Sequence, residues 1–442
     1  MKNIIFLPIE IKTREFDAKL LLALQIANDG NKAIVCTRGY CNDLRNKPNG
    51  VVLAKSIAGF ELDTIIKHKE HGNMYTSLDI EGILNISYKD QSFRFSQDTI
   101  NQVDKVFING INELERIRKN DFLIEESKIS ITGAPQFDFY KKPLSNVFKD
   151  KSDLYKSKYG KYILVLSRFG ESNNKYKNDE QSWEEFYNET LDLNMSKELI
   201  NLYDNFEKYS TKIFKNFLSM IPYLAKEFSE YRIIIRPHPN EKLNTWEDVT
   251  NKLDNVKVVF EGAVGPWIQG SDFVIHNGCT TAIESYLLEK PIISYMPYTS
   301  KKYDLHIANK TGKQCSSIEE VVSSGKDILN GKYKKQNIDD ELKKYIYNID
   351  LNAYEILSCE LSKLSCKIQK TKSGKLEKNI FRKEWKKTKL KFKKGNSNKK
   401  FPYTSLGEVK NKVENMCIDL GIDSKRIKIK EVDYNSFLIY KK

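Results

Sequence analysis

The stretch from Asp272 to Pro297, DFVIHNGCTTAIESYLLEKPIISYMP, constrains this chain more than any other. Asp272–Ile275 reads as a short buried strand and His276–Cys279 as a turn, with Gly278 placed to take a positive φ. Thr280 or Thr281 opens a helix with Ile283, Leu287 and Leu288 on one apolar side, and Pro291 starts the next apolar run. A strand, a tight polar turn and a helix N-terminus make a natural anion site, because free N–H groups and the helix dipole point into the turn. A plainer reading competes with this one. Thr281-x-x-Glu284 is also a capping box that satisfies its own helix. His276 and Asn277 add polar groups where a plain turn needs none, and this favours a ligand.

The same alternation of short apolar runs and helical stretches fills the chain. Residues 3–7, Ala33–Val35, Val51–Leu53, Met74–Leu78, Val106–Ile108 and Ile129–Ile131 read as strands. A polar loop over Glu10–Glu15 and a helix over Phe16–Ala27 separate the first two. A polar, lysine-rich stretch over Tyr140–Gly160 reads as a linker. Beyond it come strands at Tyr162–Leu166, Ile233–Ile235, Val256–Phe260, Asp272–Ile275 and Pro291–Tyr295, with helical segments to residue 365. This pitch predicts an α/β protein with two doubly wound, Rossmann-like domains, at 1–140 and 158–366. After a basic segment at 367–400, a helix over Leu406–Leu420 and two strands around Asp433-Tyr434-Asn435 predict a small αββ module at 401–442.

The net charge of +14 is local. Lys367–Lys400 holds fifteen Lys/Arg and two Asp/Glu, or 15 − 2 = +13, so the rest is nearly neutral. No apolar run is long enough for a transmembrane helix, and the apolar start is too short for a secretory signal. The seven cysteines are scattered without metal spacing, which suits reduced thiols in a cytoplasmic protein.

Open α/β sheets bind ligands beyond the carboxyl ends of their strands, and four polar clusters fall there. Asp79 and Glu81 follow a strand of the first domain. Ser167-Arg168-Phe169-Gly170, Arg236-Pro237-His238-Pro239 and His276–Thr281 follow strands of the second. Carboxylates on one side and cations, imidazoles and hydroxyls on the other suit transfer from a nucleotide-activated donor to a hydroxyl. Each cluster has a structural alternative: a solvated strand-end acid, a stiff Pro-flanked turn, a satisfied loop histidine, a helix-capping Glu284.

PIEIKTREFDAKLLLALQIA, SLDIEG, ITGAPQFD, RPHP and HNGCTTAIES together resemble the bacterial surface-carbohydrate biosynthesis proteins, which are similar to GT-B glycosyltransferases. Three motifs resemble those of bacterial sialyltransferases and related Kdo or polysialic acid transferases. The acidic motif falls on Asp79-Ile80-Glu81-Gly82, the His-Pro motif on His238-Pro239 and the paired hydroxyls on Thr280-Thr281. Ile80 stands where a second acid is expected, and Gln136 in ITGAPQFD stands where such proteins often carry Arg.

The resemblance implies two domains facing a cleft and a general base at Glu81 or Asp79, with Glu81 preferred because it directly precedes Gly82. It implies a donor site of Arg236, His238, Pro239, His276, Asn277, Gly278, Thr280, Thr281, Glu284, Ser167 and Arg168, in which Glu284 reaches a ribose. Lys12 and Arg14 are further candidates for a substrate carboxylate or phosphate. The expected reaction moves an acidic sugar (a nonulosonic acid or Kdo) from a CMP-activated donor to a glycan or lipid-linked glycan. No metal and no cofactor besides the CMP-sugar co-substrate are expected, since no D-x-D closes a donor-domain strand. The rivals are a CDP-glycerol or polyol-phosphate transferase, a nucleotide-sugar epimerase and a non-catalytic glycan-binding protein.

Ile380, Phe381, Trp385, Leu390 and Phe392 lie among the lysines of Lys367–Lys400. That mixture points to the inner membrane surface, and no nucleic-acid-binding module accompanies it. The competing reading is a solvated lysine-rich linker. Vesicle co-sedimentation tests this: binding to anionic vesicles should fall with salt and fall further when several of these lysines become Gln, at about 1 kcal/mol per basic residue. A parent protein that ignores anionic vesicles at low salt rules the surface reading out.

Overall fold

A computed structural model describes residues 4–87, 94–178, 180–191, 196–368, 373–377 and 400–442. Most of the basic segment therefore lies outside the described residues. Among those described, no helix is long and apolar enough to cross a membrane.

The chain forms two compact units, Met1–Ile83 with Gln91–Val147 and Leu342–Lys442, and Leu84–Asp90 with Phe148–Glu341. The first contains β1 (Ile4–Ile9), β2 (Lys32–Thr37), β3 (Val51–Ala54), β4 (Met74–Leu78), β5 (Lys105–Ile108) and β6 (Ile129–Ile131). The second contains β7 (Tyr162–Leu166), β8 (Arg232–Arg236), β9 (Val256–Val258), β10 (Phe273–His276), β11 (Ile292–Tyr295) and β12 (Lys313–Cys315). The chain then returns to the first unit and ends in the hairpin β13 (Ile427–Asp433) and β14 (Ser436–Lys441).

The second unit's sheet runs β12-β11-β10-β7-β8-β9, parallel throughout. Its central strands are buried on both faces, which is why Ile163–Val165, Ile233–Ile235 and Phe273–Ile275 read as unbroken apolar runs. The long helix Lys197–Glu227 covers one face with Ile213, Phe217, Met220 and Leu224, and Ser196 caps it by accepting from the Leu199 N–H.

The first unit's sheet runs β13-β14-β2-β1-β3-β4-β5-β6. The pairs from β2 to β6 are parallel, whereas β14 is antiparallel to β2 and β13 to β14. The C-terminal αββ elements are thus the edge of the first sheet, which corrects the expectation of a separate module. Their periodicity defines the elements but carries no address. The address is apolar packing: Phe437 is fully buried, and the Phe16 ring meets those of Phe401 and Phe437 edge-on at 5.8 and 6.4 Å. Lys12 pairs with Glu408 at 2.8 Å on the helix Leu406–Leu420.

The helix Ala353–Cys366 also belongs to the first unit, unlike the expected boundary at 366. Leu357 and Leu361 are fully buried, and Ser358 donates to Asp29 at 2.6 Å. The expected loop over Glu10–Glu15 is instead the start of the helix Lys12–Asn28. Buried Glu15 reaches back to accept the N–H of Ile11 at 2.9 Å and of Glu10 at 3.3 Å, fixing the segment that enters the helix. The expected linker holds a short helix, Lys149–Tyr159.

Phe437→Ala should lower stability by about 3–5 kcal/mol, the usual cost of emptying an aromatic site in a core. Urea unfolding reads this directly. A loss under about 1 kcal/mol means the hairpin is not part of the first unit's core.

Candidate functional site

In the first unit, six parallel strands end at one edge. The residue after each is polar: Glu10, Arg38, Lys55, Asp79, Asn109 and Thr132 follow β1 to β6. Glu81 sits in a ring of cations, with Oε1 2.9 Å from Arg14 Nη1 and 2.8 Å from Lys55 Nζ, and Oε2 2.7 Å from Arg94 Nη2. Asp79 Oδ2 lies 2.9 Å from Arg94 Nε, and its Oδ1 accepts the Glu81 N–H at 2.9 Å. That turn brings both carboxylates to one guanidinium. Burial alone would raise the Glu81 carboxyl, but Lys55, Arg94 and Arg14 outweigh it and hold the group below its ordinary range. A Cβ at Gly82 would come within 2.7 Å of Arg116 Nη2, so a larger residue there would have to displace that guanidinium.

Behind this turn Glu113 is buried and accepts from the Asn109 N–H and side-chain amide, each at 2.8 Å. Burial, with the nearby Asp79 charge, pushes its carboxyl up to about 7. The ITGAPQFD stretch holds the returning chain. The Ala134 N–H donates to Asn348 Oδ1 at 3.2 Å, and Asp138 accepts from the Asn348 amide at 2.7 Å and the Tyr354 N–H at 3.1 Å. Gln136 reaches the Ile80 carbonyl at 3.4 Å.

In the second unit, register decides which side chains meet. Leu166 of β7 is opposite Arg236 of β8, and Ile275 of β10 is opposite Val165. The segments beginning at Ser167, Pro237 and Asn277 therefore leave the sheet side by side, with β7 and β10 flanking the point where strand order reverses. Arg168 spans that point and donates from Nη1 to the Gly278 carbonyl at 2.6 Å. Gly278 has the expected positive φ, +59°. Thr280 is exposed, Thr281 half-buried, and together they open the helix Thr280–Leu287. The capping box does not form: Cys279 is the N-cap, and its Sγ lies 2.7 Å from Thr281 Oγ1.

The organiser of this edge is Glu241, which the sequence reading passed over. Its Oε1 accepts from Ser167 Oγ at 2.6 Å and from the N–H groups of Phe169 at 2.9 Å and His238 at 3.0 Å. Its Oε2 accepts from Trp246 Nε1 at 2.8 Å. Burial pushes this carboxyl up, against the pull of those donors. Half-buried His238 accepts the Asn240 N–H on Nδ1 at 3.3 Å, which puts the proton of the neutral ring on Nε2.

The structure brings Arg168, His238, Asn277, Gly278, Thr280 and Thr281 to one edge, with Glu284 one turn further along the helix. It gives several expected ligand groups another occupation. Arg236 donates to the carbonyls of Glu261 and Gly262 at 2.7 and 3.0 Å and lies over Trp267. Ser167 serves Glu241, and Asn277 donates to the Tyr295 carbonyl at 2.7 Å. Pro239 is exposed. Lys12 is committed to Glu408 and Arg14 to Glu81.

His276 is the clearest correction. It is wholly buried, its Nδ1 accepts the Gly278 N–H at 3.1 Å and its Nε2 lies 2.9 Å from Ser294 Oγ. It shapes the turn from the core side and presents nothing to a ligand. Among the described residues no group of three or more His, Cys, Asp or Glu could hold a metal ion.

Burial, with the Arg168 charge, holds the His276 imidazole down to about 3. Its depressed pKa makes its contribution full above the ordinary value near 6.5 and lost as pH falls from there toward 3. Stability should therefore drop by about 1.4 kcal/mol per pH unit over that window on this account. His276→Asn keeps an acceptor for Gly278 and removes this slope. Buried His68, held down to about 4, adds its own slope to both proteins, so the difference between them is the readout. Equal slopes in urea-unfolding series overturn the assignment.

No family model and no curated protein matches this sequence. Solved structures do. The UDP-GlcNAc 2-epimerase of Methanocaldococcus jannaschii superposes with a TM-score of 0.50 at 14% identity, covering 82% of this chain and 100% of that one. An H444N variant of the wall teichoic acid polymerase TagF superposes at 0.50 and 15%, covering 83% and 89%. The fold of this chain is accordingly GT-B-like, two α/β units built on parallel sheets.

Proposed function

We propose that this protein is a glycosyltransferase that moves an acidic sugar from a CMP-activated donor onto a bacterial surface glycan. The observation that supports this most is the strand-end edge of the second unit, where Arg168, His238 and the doubly hydroxylated start of the helix Thr280–Leu287 lie on neighbouring segments. A guanidinium, an imidazole N–H, two hydroxyls and the start of a helix would together form a phosphate cradle. As the glycosidic bond to the phosphate breaks, its electron pair leaves with CMP, and these donors stabilise the charge that gathers there.

In the first unit Asp79 or Glu81 takes the proton of the acceptor hydroxyl as its oxygen bonds to the anomeric carbon. Arg94 contacts both acids, whereas Arg14 and Lys55 contact Glu81 alone. A lipid-linked acceptor fits a cytoplasmic enzyme that meets the inner membrane face through Lys367–Lys400. A polyol-phosphate transferase or an epimerase would use a similar cradle, and the nucleotide separates them.

Calorimetry with CMP, CDP, UDP and GDP is the test. CMP should bind tightest, and His238→Ala or the pair Thr280→Val/Thr281→Val should weaken it about ten-fold or more, the worth of a charge-assisted hydrogen bond. With a CMP-sugar and an authentic acceptor, Asp79→Asn or Glu81→Gln should cut turnover at least about 100-fold while CMP affinity stays within a factor of about three. Tightest binding of CDP or UDP overturns the CMP assignment, and near-parent turnover in both acid variants overturns the carboxylate base.

A further inference from the structure

Between the ends of β1 and β3, where strand order in the first sheet reverses, lies a cleft of about 640 Å³ including its open mouth. Its wall shares Lys55 and Arg94 with the Asp79–Glu81 turn. Its charges are already matched. Arg38 Nη2 lies 2.7 and 2.9 Å from the two Glu61 oxygens, and Lys55 Nζ lies 3.1 Å from Glu10. Backbone N–H groups beside it are partly engaged as well. Thr37 caps the helix Arg38–Asn42 by accepting the Tyr40 N–H, and Glu15 accepts the N–H groups of Glu10 and Ile11 just ahead of the helix Lys12–Asn28. A phosphate or carboxylate thus finds no surplus positive charge in this wall. Hydroxyls, by contrast, can donate to the remaining carboxylate lone pairs and accept from the remaining guanidinium N–H groups without disturbing the pairing.

One wall is aromatic. Phe60 lines the cleft with 74% of its surface exposed. A lone exposed aromatic is ordinary on a convex surface. On the wall of a concave site lined with paired charges it supplies an apolar face for a ring whose edges are polar.

From this cleft we infer a binding site for a neutral sugar ring, stacked on Phe60 and hydrogen-bonded by the Arg38–Glu61 and Lys55–Glu10 pairs. Its role as the acceptor subsite rests on the proposed transferase function; its existence as a sugar site does not. The shared Lys55 and Arg94 would set a bound hydroxyl next to the Asp79–Glu81 turn.

Saturation-transfer NMR on the full chain tests this with galactose, N-acetylglucosamine and, as anionic comparator, glycerol 3-phosphate. At least one neutral sugar should receive transfer. Its Kd should rise about five-fold or more in Phe60→Ala, the worth of a lost aromatic contact, and recover in Phe60→Trp. Phe60 is at the surface, so the variant tests the site and not folding. Three results overturn the inference: no transfer to either neutral sugar, equal affinity in parent and Phe60→Ala, or Phe60-dependent binding of glycerol 3-phosphate tighter than of both sugars. CMP affinity of the parent, measured alongside, reports separately on the donor assignment.

Discussion

In a parallel sheet covered on both faces, a side chain reaches polar surroundings only where a strand stops. That constraint organises both units. Six parallel strands of the first end at one edge, and each hands over at once to a polar residue. Three neighbouring strands of the second end in register, so segments far apart in the sequence leave side by side. Clustered charge is the geometric result of stopping apolar runs of matched length at one edge. Chemistry enters with which polar residues stand there and what restrains them.

The restraint comes from buried carboxylates. Glu241 gathers one hydroxyl, two N–H groups and an indole, and so fixes the Ser167 loop against the His238 loop. Glu113 does the same for Asn109 beneath Asp79. Removing a buried charge from water is costly, and each is retained where several donors converge. Loops held in this way are restrained, which is what preorganised donors at the proposed site would require. His276 works toward the same end from the core, accepting the Gly278 N–H so that the turn after β10 keeps its left-handed glycine.

These facts were unequally legible in the sequence. Strand runs such as Ile233–Ile235 and the helix Leu406–Leu420 could be read directly, because burial on both faces or on one stripe leaves a local pattern. The place of the C-terminal hairpin could not: nothing near Phe437 says that its partner is Phe16. Strand ends identified Asp79, Glu81, Arg168 and His238 as edge residues. They say nothing of how each side chain is occupied, and the structure gives His276 and Arg236 internal partners. Glu241 left one faint signal, an acid three residues beyond His238 in a segment with no need of one. The Arg94 and Lys55 contacts left none, since each joins segments that only the sheet brings together.

The two acids of the first unit show how such long-range pairing alters a motif. A carboxylate fixed by Arg14, Lys55 and Arg94 is held ionised, and ionisation is the state a proton acceptor must start from. The same three charges oppose the protonated state, so a base at this position, as proposed, would be available but weak. Lys55 also contacts Glu10, whose carboxyl is brought to about 2, against the effect of burial, by Lys400 and Lys55. A cation shared between two carboxylates can favour one as it leaves the other, and each such shift changes the proton affinity of Glu81. Asp79 depends on fewer cations, with its Oδ1 spent on the backbone of Glu81 and its Oδ2 on Arg94. The isoleucine between the acids does not separate them, because the Asp79 side chain closes the turn that brings both to one guanidinium. What decides their roles is the company each keeps at the strand edge.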